Sequence, residues 1–404
     1  MYSLRTRRRV LRPDQVRGAN RAVVLQLLRR HRRLSRADLA RRTGLSEGAI
    51  SRITADLLRG GLVVEEGAEN STGGRPAIRL RLDQTRFLSL GVDILNWETR
   101  IAVGTIDGRV LETQSFRTPS TPAKVLELIA DRFEAHHKRL PQGSLHGIGI
   151  STRGLVNSET GVVELGSEPG WVRIAVKHDL EKRLRRPVFV ENDVRAAALA
   201  EYHHGSAEIH GSHCLLLVKV GEGVGMGIVM DGRLYRGPHM AAGEFGQMVV
   251  TDAPGPERHN RPGCIERLAS NPAVCERYSR LSGNKYRANP GDSAAQVKRI
   301  CHLAMEGDPT ARDTLAETCR YLGVGITNAV WALDAEVVIL DGALTEAWPL
   351  VAAGIQEQFP AGEEFPNFRN LILRPSSLAG EATMMTAISL PFTSLFSTGE
   401  AARV

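Results

Sequence analysis

The hydrophobic pattern of the chain changes period as it runs. Val24, Leu27 and Leu28 share one face of a helix predicted over Asn20–His31. The stretch Leu34–Gly61 then reads as two short helices around a tight turn. Ser35 caps the first, Asp38 complements its dipole, and Gly44 stands where it should stop. Ser46 caps the second, where Ile50, Ile53 and Leu57 recur on one stripe. After Gly60-Gly61 the period falls to two: Leu62-Val63-Val64 begins a strand, and Ile78, Leu80 and Leu82 alternate with Arg79 and Arg81. The hairpin tip between them, Ser71–Pro76, presents Arg75. Three helices and a two-stranded wing make a winged helix-turn-helix.

Ser46, Glu47, Gly48, Ser51 and Arg52 lie off the buried stripe, near the N-terminus of the second helix of the pair. Residues so placed meet base edges in the major groove, and Arg75 is the candidate for the minor groove. Charge supports a double-stranded DNA partner. Residues 1–86 hold 20 Arg, no Lys and 8 acids, a net of +12, in a chain whose total is +7. Residues 87–404 therefore carry −5. A basic end on an acidic remainder points to nucleic acid at that end. Residues 1–17, rich in Arg and poor in apolar residues, are expected to be a flexible basic arm, followed by a DNA-binding domain over 18–82.

From Phe87 the pattern becomes strands, glycine turns and helices, as in an α/β domain. FLSLGVDIL and TRIAVGTI read as adjacent strands, and Thr121–Leu140 as an amphipathic helix with Pro122 at its first position. Further strands are predicted at Leu145–Ile150, Pro187–Val190, Cys214–Val220, Met226–Met230 and Glu336–Leu340. The last twenty residues or so lose periodicity, and residues 391–404 are expected to be a frayed tail. No apolar run is long enough to span a bilayer, which speaks against membrane insertion. The five cysteines are scattered without a CxxC pair, as expected of reduced thiols in a cytoplasmic protein.

With the tandem strands, Glu191-Asn192-Asp193 and the turn GEGVGMGIVMDGRLYRG in view, the chain resembles the ROK family of repressors, open reading frames and sugar kinases. It is similar to the branch that carries an N-terminal winged helix. The resemblance implies a two-lobed actin-like ATPase (ribonuclease H-like) fold over residues 87–390, with a ligand cleft between the lobes. VENDVRAAALAE resembles the segment bearing the family's catalytic aspartate, matched by Asp193 with Asn192 beside it. GEFGQ and GCIERLAS resemble motifs that supply sugar ligands, here Glu244, Gln247 and Glu266. Carboxylates and amides suit sugar hydroxyls, because a site built on them rejects ligands that leave them unpaired.

The phosphate-binding parts depart from the family. Its first loop, Asp-x-Gly-Gly-Thr, reads Asp93-Ile94-Leu95-Asn96-Trp97 here, and Glu222 replaces the threonine of the second loop. Asp341 replaces a glycine beside Gly342 in the adenosine-site stretch. Phosphoryl transfer depends on positioned phosphates and charge stabilisation, so no catalytic residue is assigned and Asp193 is read as a hydrogen-bonding sugar ligand. The zinc motif is degenerate: its matching positions are Gln247, Glu257, His259 and Cys264, so a structural zinc is possible but none is assigned. The expected protein is a sugar-responsive DNA-binding regulator, more often a repressor in such families. It would act as a homo-oligomer, dimer or tetramer, with a sugar or sugar derivative as effector and a protein partner possible. The alternative is an ATP-dependent sugar kinase with an accessory DNA-binding domain.

Overall fold

The computed structural model describes residues 13–67, 78–95, 97–167, 170–252, 262–283, 292–361, 364–378 and 380–396. Its N-terminal unit is three helices, Pro13–His31, Arg36–Thr43 and Glu47–Arg59, against a small antiparallel sheet. The two wing strands, Val63–Glu66 and Arg79–Leu82, pair with Val63 opposite Leu82. Leu34–Ser35 adds a third strand on the far side of Arg79–Leu82. Two residues are too few to show alternation, so sequence reading misses this strand. The first helix also starts earlier than Asn20, at Pro13. Proline favours that end because the first turn needs no backbone donor there.

Ser35 and Asp38 form a reciprocal capping box, and Ser46 Oγ accepts from the Ala49 amide. Gly44 ends the first helix of the pair at φ +70, a left-handed geometry that costs glycine nothing. Ile50 and Leu57 are fully buried with Val24, Leu25, Leu28, Leu39 and Leu80. Thr54 is buried on the same stripe, satisfied by the Ile50 carbonyl, and Ile53 is only half-buried.

The remainder is two α/β lobes, each on a five-stranded mixed sheet. In the first, the strand order is Val188–Asn192, Leu145–Thr152, Leu88–Ile94, Glu98–Thr105, Val110–Arg117. Helices Pro122–Arg139 and Val176–Leu184 pack on this sheet, burying Ile129, Phe133 and Leu180. In the second, the order is Arg233–Leu234, Val224–Met230, Cys214–Val220, Val337–Gly342, Ile372–Pro375. Helix Pro309–Leu333 supplies much of that lobe's core through Leu315, Leu322 and Ile326.

Helix Ala382–Ser389 returns from the second lobe to lie against the first sheet. The approach is close enough that a Cβ on Gly149 would sit 1.9 Å from the Ala387 carbonyl, so only glycine fits there. Residues 390–396, expected to lie at a frayed end, are helical instead. Phe392 and Phe396 are buried with Val24, Leu28 and Ile106, and Gln26 Nε2 donates to the Phe396 carbonyl at 2.5 Å. The apolar residues there carry no helical period of their own because they fill a seam between two units. The chain's last described turn thus ties the DNA-binding unit to the lobes.

Candidate functional site

Ser46, Glu47, Gly48, Ser51 and Arg52 are all exposed on one end of helix Glu47–Arg59. Arg52 rests on the Gly48 carbonyl at 3.3 Å, leaving most of its donors to solvent. Arg36 links this helix to the wing, donating to Thr54 Oγ1 at 3.2 Å and to Glu65 at 2.8 Å. Arg75 lies outside the described residues.

Between the lobes, Asn192 closes strand Val188–Asn192 and caps helix Asp193–His204. Its Oδ1 accepts from the amides of Val194 and Arg195, both at 3.0 Å, while Nδ2 donates to the Gly154 carbonyl at 3.0 Å. Asp193, buried at the first turn, accepts from Lys219 Nζ at 3.0 Å. Glu244 precedes the short turn Phe245–Gln247, and it shares a narrow cleft with Asn192, Gly154, Leu155 and Met240. Among the described residues the Glu244 side chain makes no hydrogen bond or ion pair, although its backbone carbonyl accepts from the Gln247 amide at 3.1 Å, so its carboxylate is open to a ligand. Desolvation, and then the Glu266 carboxylate, raise its pKa above the usual carboxylate range. Glu266, on helix Ile265–Ala269, accepts from the Val224 amide at 3.0 Å and fills the space beside Gly223 and Gly246. Gln247 is exposed at the end of its turn. The structure thus brings Asn192 and Glu244 into one cleft, with Glu266 near enough to act on the Glu244 carboxylate and Asp193 held by Lys219.

Residues that sequence reading passed over support this cleft. Arg195 is buried and donates to the carbonyls of Val156 at 2.7 Å and Met240 at 3.1 Å. Glu191, also buried, lies 2.9 Å from Arg195 and takes a forked contact from Arg236 at 2.9 and 2.6 Å. The spacing of Glu191 and Arg195, one helical turn apart, was the only signal available.

The other half of the cleft is closed by internal pairs. Asp93, in the first of the altered loops, is 1% exposed and binds Arg100 at 2.8 Å and Thr383 Oγ1 at 2.9 Å. Trp97 stands half exposed beside it. Lys219 and Asp341 are register partners on adjacent parallel strands, and burial raises the Asp341 carboxyl. The Glu222 carboxylate accepts from Ser293 Oγ. A zinc ion finds little here. Cys264 is buried and its backbone bridges Val249, but Gln247 offers only a neutral amide, and Glu257 and His259 lie outside the described residues. The described residues contain no cluster of three His, Cys, Asp or Glu that could hold a metal.

Comparison with known proteins agrees with this geometry. The ROK family model matches residues 89–391, and a winged helix-turn-helix DNA-binding model matches residues 23–64. The xylose repressor of Caldicellulosiruptor bescii is 26% identical over 386 residues, covering 94% of this chain and 96% of that protein. The DNA-binding transcriptional dual regulator NagC of Escherichia coli is 27% identical over 349 residues, with 85% of each chain covered. Among solved structures, a ROK family transcriptional regulator homologous to the Escherichia coli MLC protein superposes with TM-score 0.76 at 26% identity, covering 95% of this chain and 98% of that one. A ROK glucokinase from Streptomyces griseus, in complex with glucose and AMPPNP, gives 0.62 at 26% identity over 75% of this chain and 98% of that one. The alignment to the kinase leaves a quarter of the chain uncovered, whereas that to the regulator takes in nearly all of it. The chain belongs to the ROK family.

Proposed function

We infer that the protein is a sugar-responsive DNA-binding transcriptional regulator, acting as a repressor of carbohydrate genes. The observation that carries this reading is one chain that joins a capped, solvent-facing recognition helix to a cleft whose sugar half has an open carboxylate and whose phosphate half is closed. Residues 18–82 serve as the DNA-binding domain and residues 87–390 as the effector and oligomerisation domain. Ser51 and Arg52 reach base edges from the helix, and Arg75 enters the minor groove from the wing. Asn192, Asp193, Glu244, Gln247 and Glu266 receive the sugar. A homodimer would set two recognition helices roughly 34 Å apart on a near-palindromic operator. Effector binding shifts operator affinity only as far as it distinguishes two lobe arrangements.

Kinase activity is absent in this reading. Leu95, Asn96 and Trp97 replace the glycines and threonine of the first loop, Glu222 and Asp341 add carboxylates to the second loop and the adenosine-site stretch, and Asp93, which the family keeps, is tied to Arg100. Asp193 could act as a base toward a sugar hydroxyl, but its oxygen is already held by Lys219. The five cysteines are all buried and free, as in a reducing compartment, which favours the cytoplasm. No described helix is long and apolar enough to cross a membrane.

Fluorescence anisotropy on DNA from the gene's own upstream region tests this, at fixed salt, with a panel of sugars, sugar phosphates and ATP. One sugar should shift operator affinity, and R52A should weaken binding by about 1–3 kcal/mol. Release of ADP with any hexose would instead establish the kinase.

A further inference from the structure

A roomy cavity lies apart from the cleft at Asn192 and Glu244. It has a volume of about 470 Å³ and lies between the DNA-binding unit and the lobes. That size is in the range of small-molecule sites, roughly 300–1,000 Å³. One wall is helix Pro13–His31, through Leu27 and Arg29. The opposite wall is the C-terminal end of helix Asp193–His204, through Leu199 and His203, and Phe396 closes a third side.

Arg29 is the unexplained group in this cavity. Its residue is 8% exposed, yet among the described residues it makes no hydrogen bond and no ion pair. Its guanidinium carbon sits 4.2 Å from the centre of the Phe396 ring, which covers one face, while the in-plane donors open into the cavity. A buried cation without a carboxylate in contact is costly, and the charge that acts on Arg29 from a distance, Asp107, is shared with Arg32. The carboxylates nearby are already engaged. Asp231 holds His213 at 2.9 Å, Asp107 takes Gln84 at 2.9 Å and Arg32 at 3.4 Å, and Glu191 takes Arg236. The cavity therefore has an excess of positive charge. Desolvation and then Arg29 push His203 well below its ordinary range and His204 down to about 4.

We propose that this cavity binds a small organic anion with an apolar body, its anionic group on Arg29 and its body against Leu27, Leu199 and Phe396. A planar carboxylate or a sulfonate matches the fork of the guanidinium. The site is distinct from the cleft at Asn192: Asn192 caps the N-terminal end of helix Asp193–His204, and the cavity begins about 10 Å along it, at Leu199. Because its walls come from both units, an occupant joins the DNA-binding unit to the lobes.

The test is a titration of the full chain with anilinonaphthalene sulfonate, followed by its fluorescence. One saturable site per chain is expected, with Arg29→Met weakening it by about tenfold or more through loss of the charged hydrogen bonds. Val23→Trp, which fills the cavity without touching Arg29, should weaken it similarly and covers the case in which R29M does not fold. Benzoate should displace the dye, and benzyl alcohol should not. Unchanged dye affinity in the variants, or equal displacement by benzyl alcohol, would overturn the proposal.

Discussion

The two halves of the interlobe cleft have diverged in opposite directions, although both are rich in carboxylates. On the side proposed for sugar, Glu244 keeps its carboxylate oxygens unpaired and Glu266 accepts from one backbone amide, whereas Asn192 is fully engaged by the Val194 and Arg195 amides, the Gly154 carbonyl and Asp193. On the other side the acids are held from within the protein: Asp93 Oδ2 takes Arg100 and Thr383 while its buried Oδ1 has no partner, and Glu222 takes Ser293. An acid held open has to be matched by a ligand, since crowding alone makes it a cost. An acid closed by its own cation has become part of the scaffold. The same residue types therefore mean different things on the two sides, and the hydrogen-bond partners decide which.

Breaking the scaffold side should have the largest effect. Arg100→Ala strands Asp93, which has almost no contact with water. Breaking a buried pair costs 3–5 kcal/mol, and the partial exposure of Arg100 places this one near the low end, about 3 kcal/mol. Urea denaturation would read this as a lowered midpoint, while the folded fraction should still bind sugar. Glu244→Ala should do the reverse. Loss of a charged hydrogen-bond acceptor weakens the sugar by about 10- to 100-fold in calorimetric titration, with no loss of stability. If R100A abolished sugar binding in folded protein, or E244A left it intact, the division between the halves would collapse.

Much of this was legible in the sequence because it depends on local rules. Ser35, Gly44, Ser46 and the Ile50–Leu57 stripe fixed the helix pair, since caps and 3.6-residue periodicity act within one turn. Asp193, Glu244 and Glu266 were singled out as candidate sugar ligands by resemblance to ordered motifs. What stayed hidden depends on distant partners. Arg100 lies seven residues from Asp93, on the neighbouring antiparallel strand, and nothing in its own neighbourhood marks it as a counter-ion. Lys219 meets Asp193 only because strand Cys214–Val220 and helix Asp193–His204 are packed together. Phe392 and Phe396 looked like the end of a fading chain because their neighbours come from residues 24–28.

Lys219 sharpens the boundary between the halves. Its contact with Asp193 places that carboxylate beside the sugar residues in sequence but against a cation of the closed side in space. Lys219→Met should cost about 1.5 kcal/mol of stability, less than the loss of Arg100, because Asn192 Nδ2 also approaches Asp193 at 3.3 Å. If Asp193 touches sugar, the same change should alter sugar affinity as well. A purely structural Asp193 would leave that affinity untouched.

The smallest effect is the most specific to an open acid. In the folded chain partial desolvation and the Glu266 carboxylate, opposed by Arg195, raise the pKa of Glu244 above its unfolded value, though the residue as a whole is exposed. Below the usual carboxylate range the residue is protonated in both states and contributes no penalty. As pH rises through the unfolded value toward the folded one, the unfolded chain releases its proton more readily, and stability is lost. Glu244→Gln removes that penalty while keeping one acceptor oxygen. The variant should therefore melt slightly higher than the wild type at about pH 7, with the difference closing by about pH 3. Its sugar affinity should fall, though less than in E244A. A lower melting temperature at neutral pH would mean that Glu244 is held by a favourable partner after all, and the contrast with Asp93 would disappear.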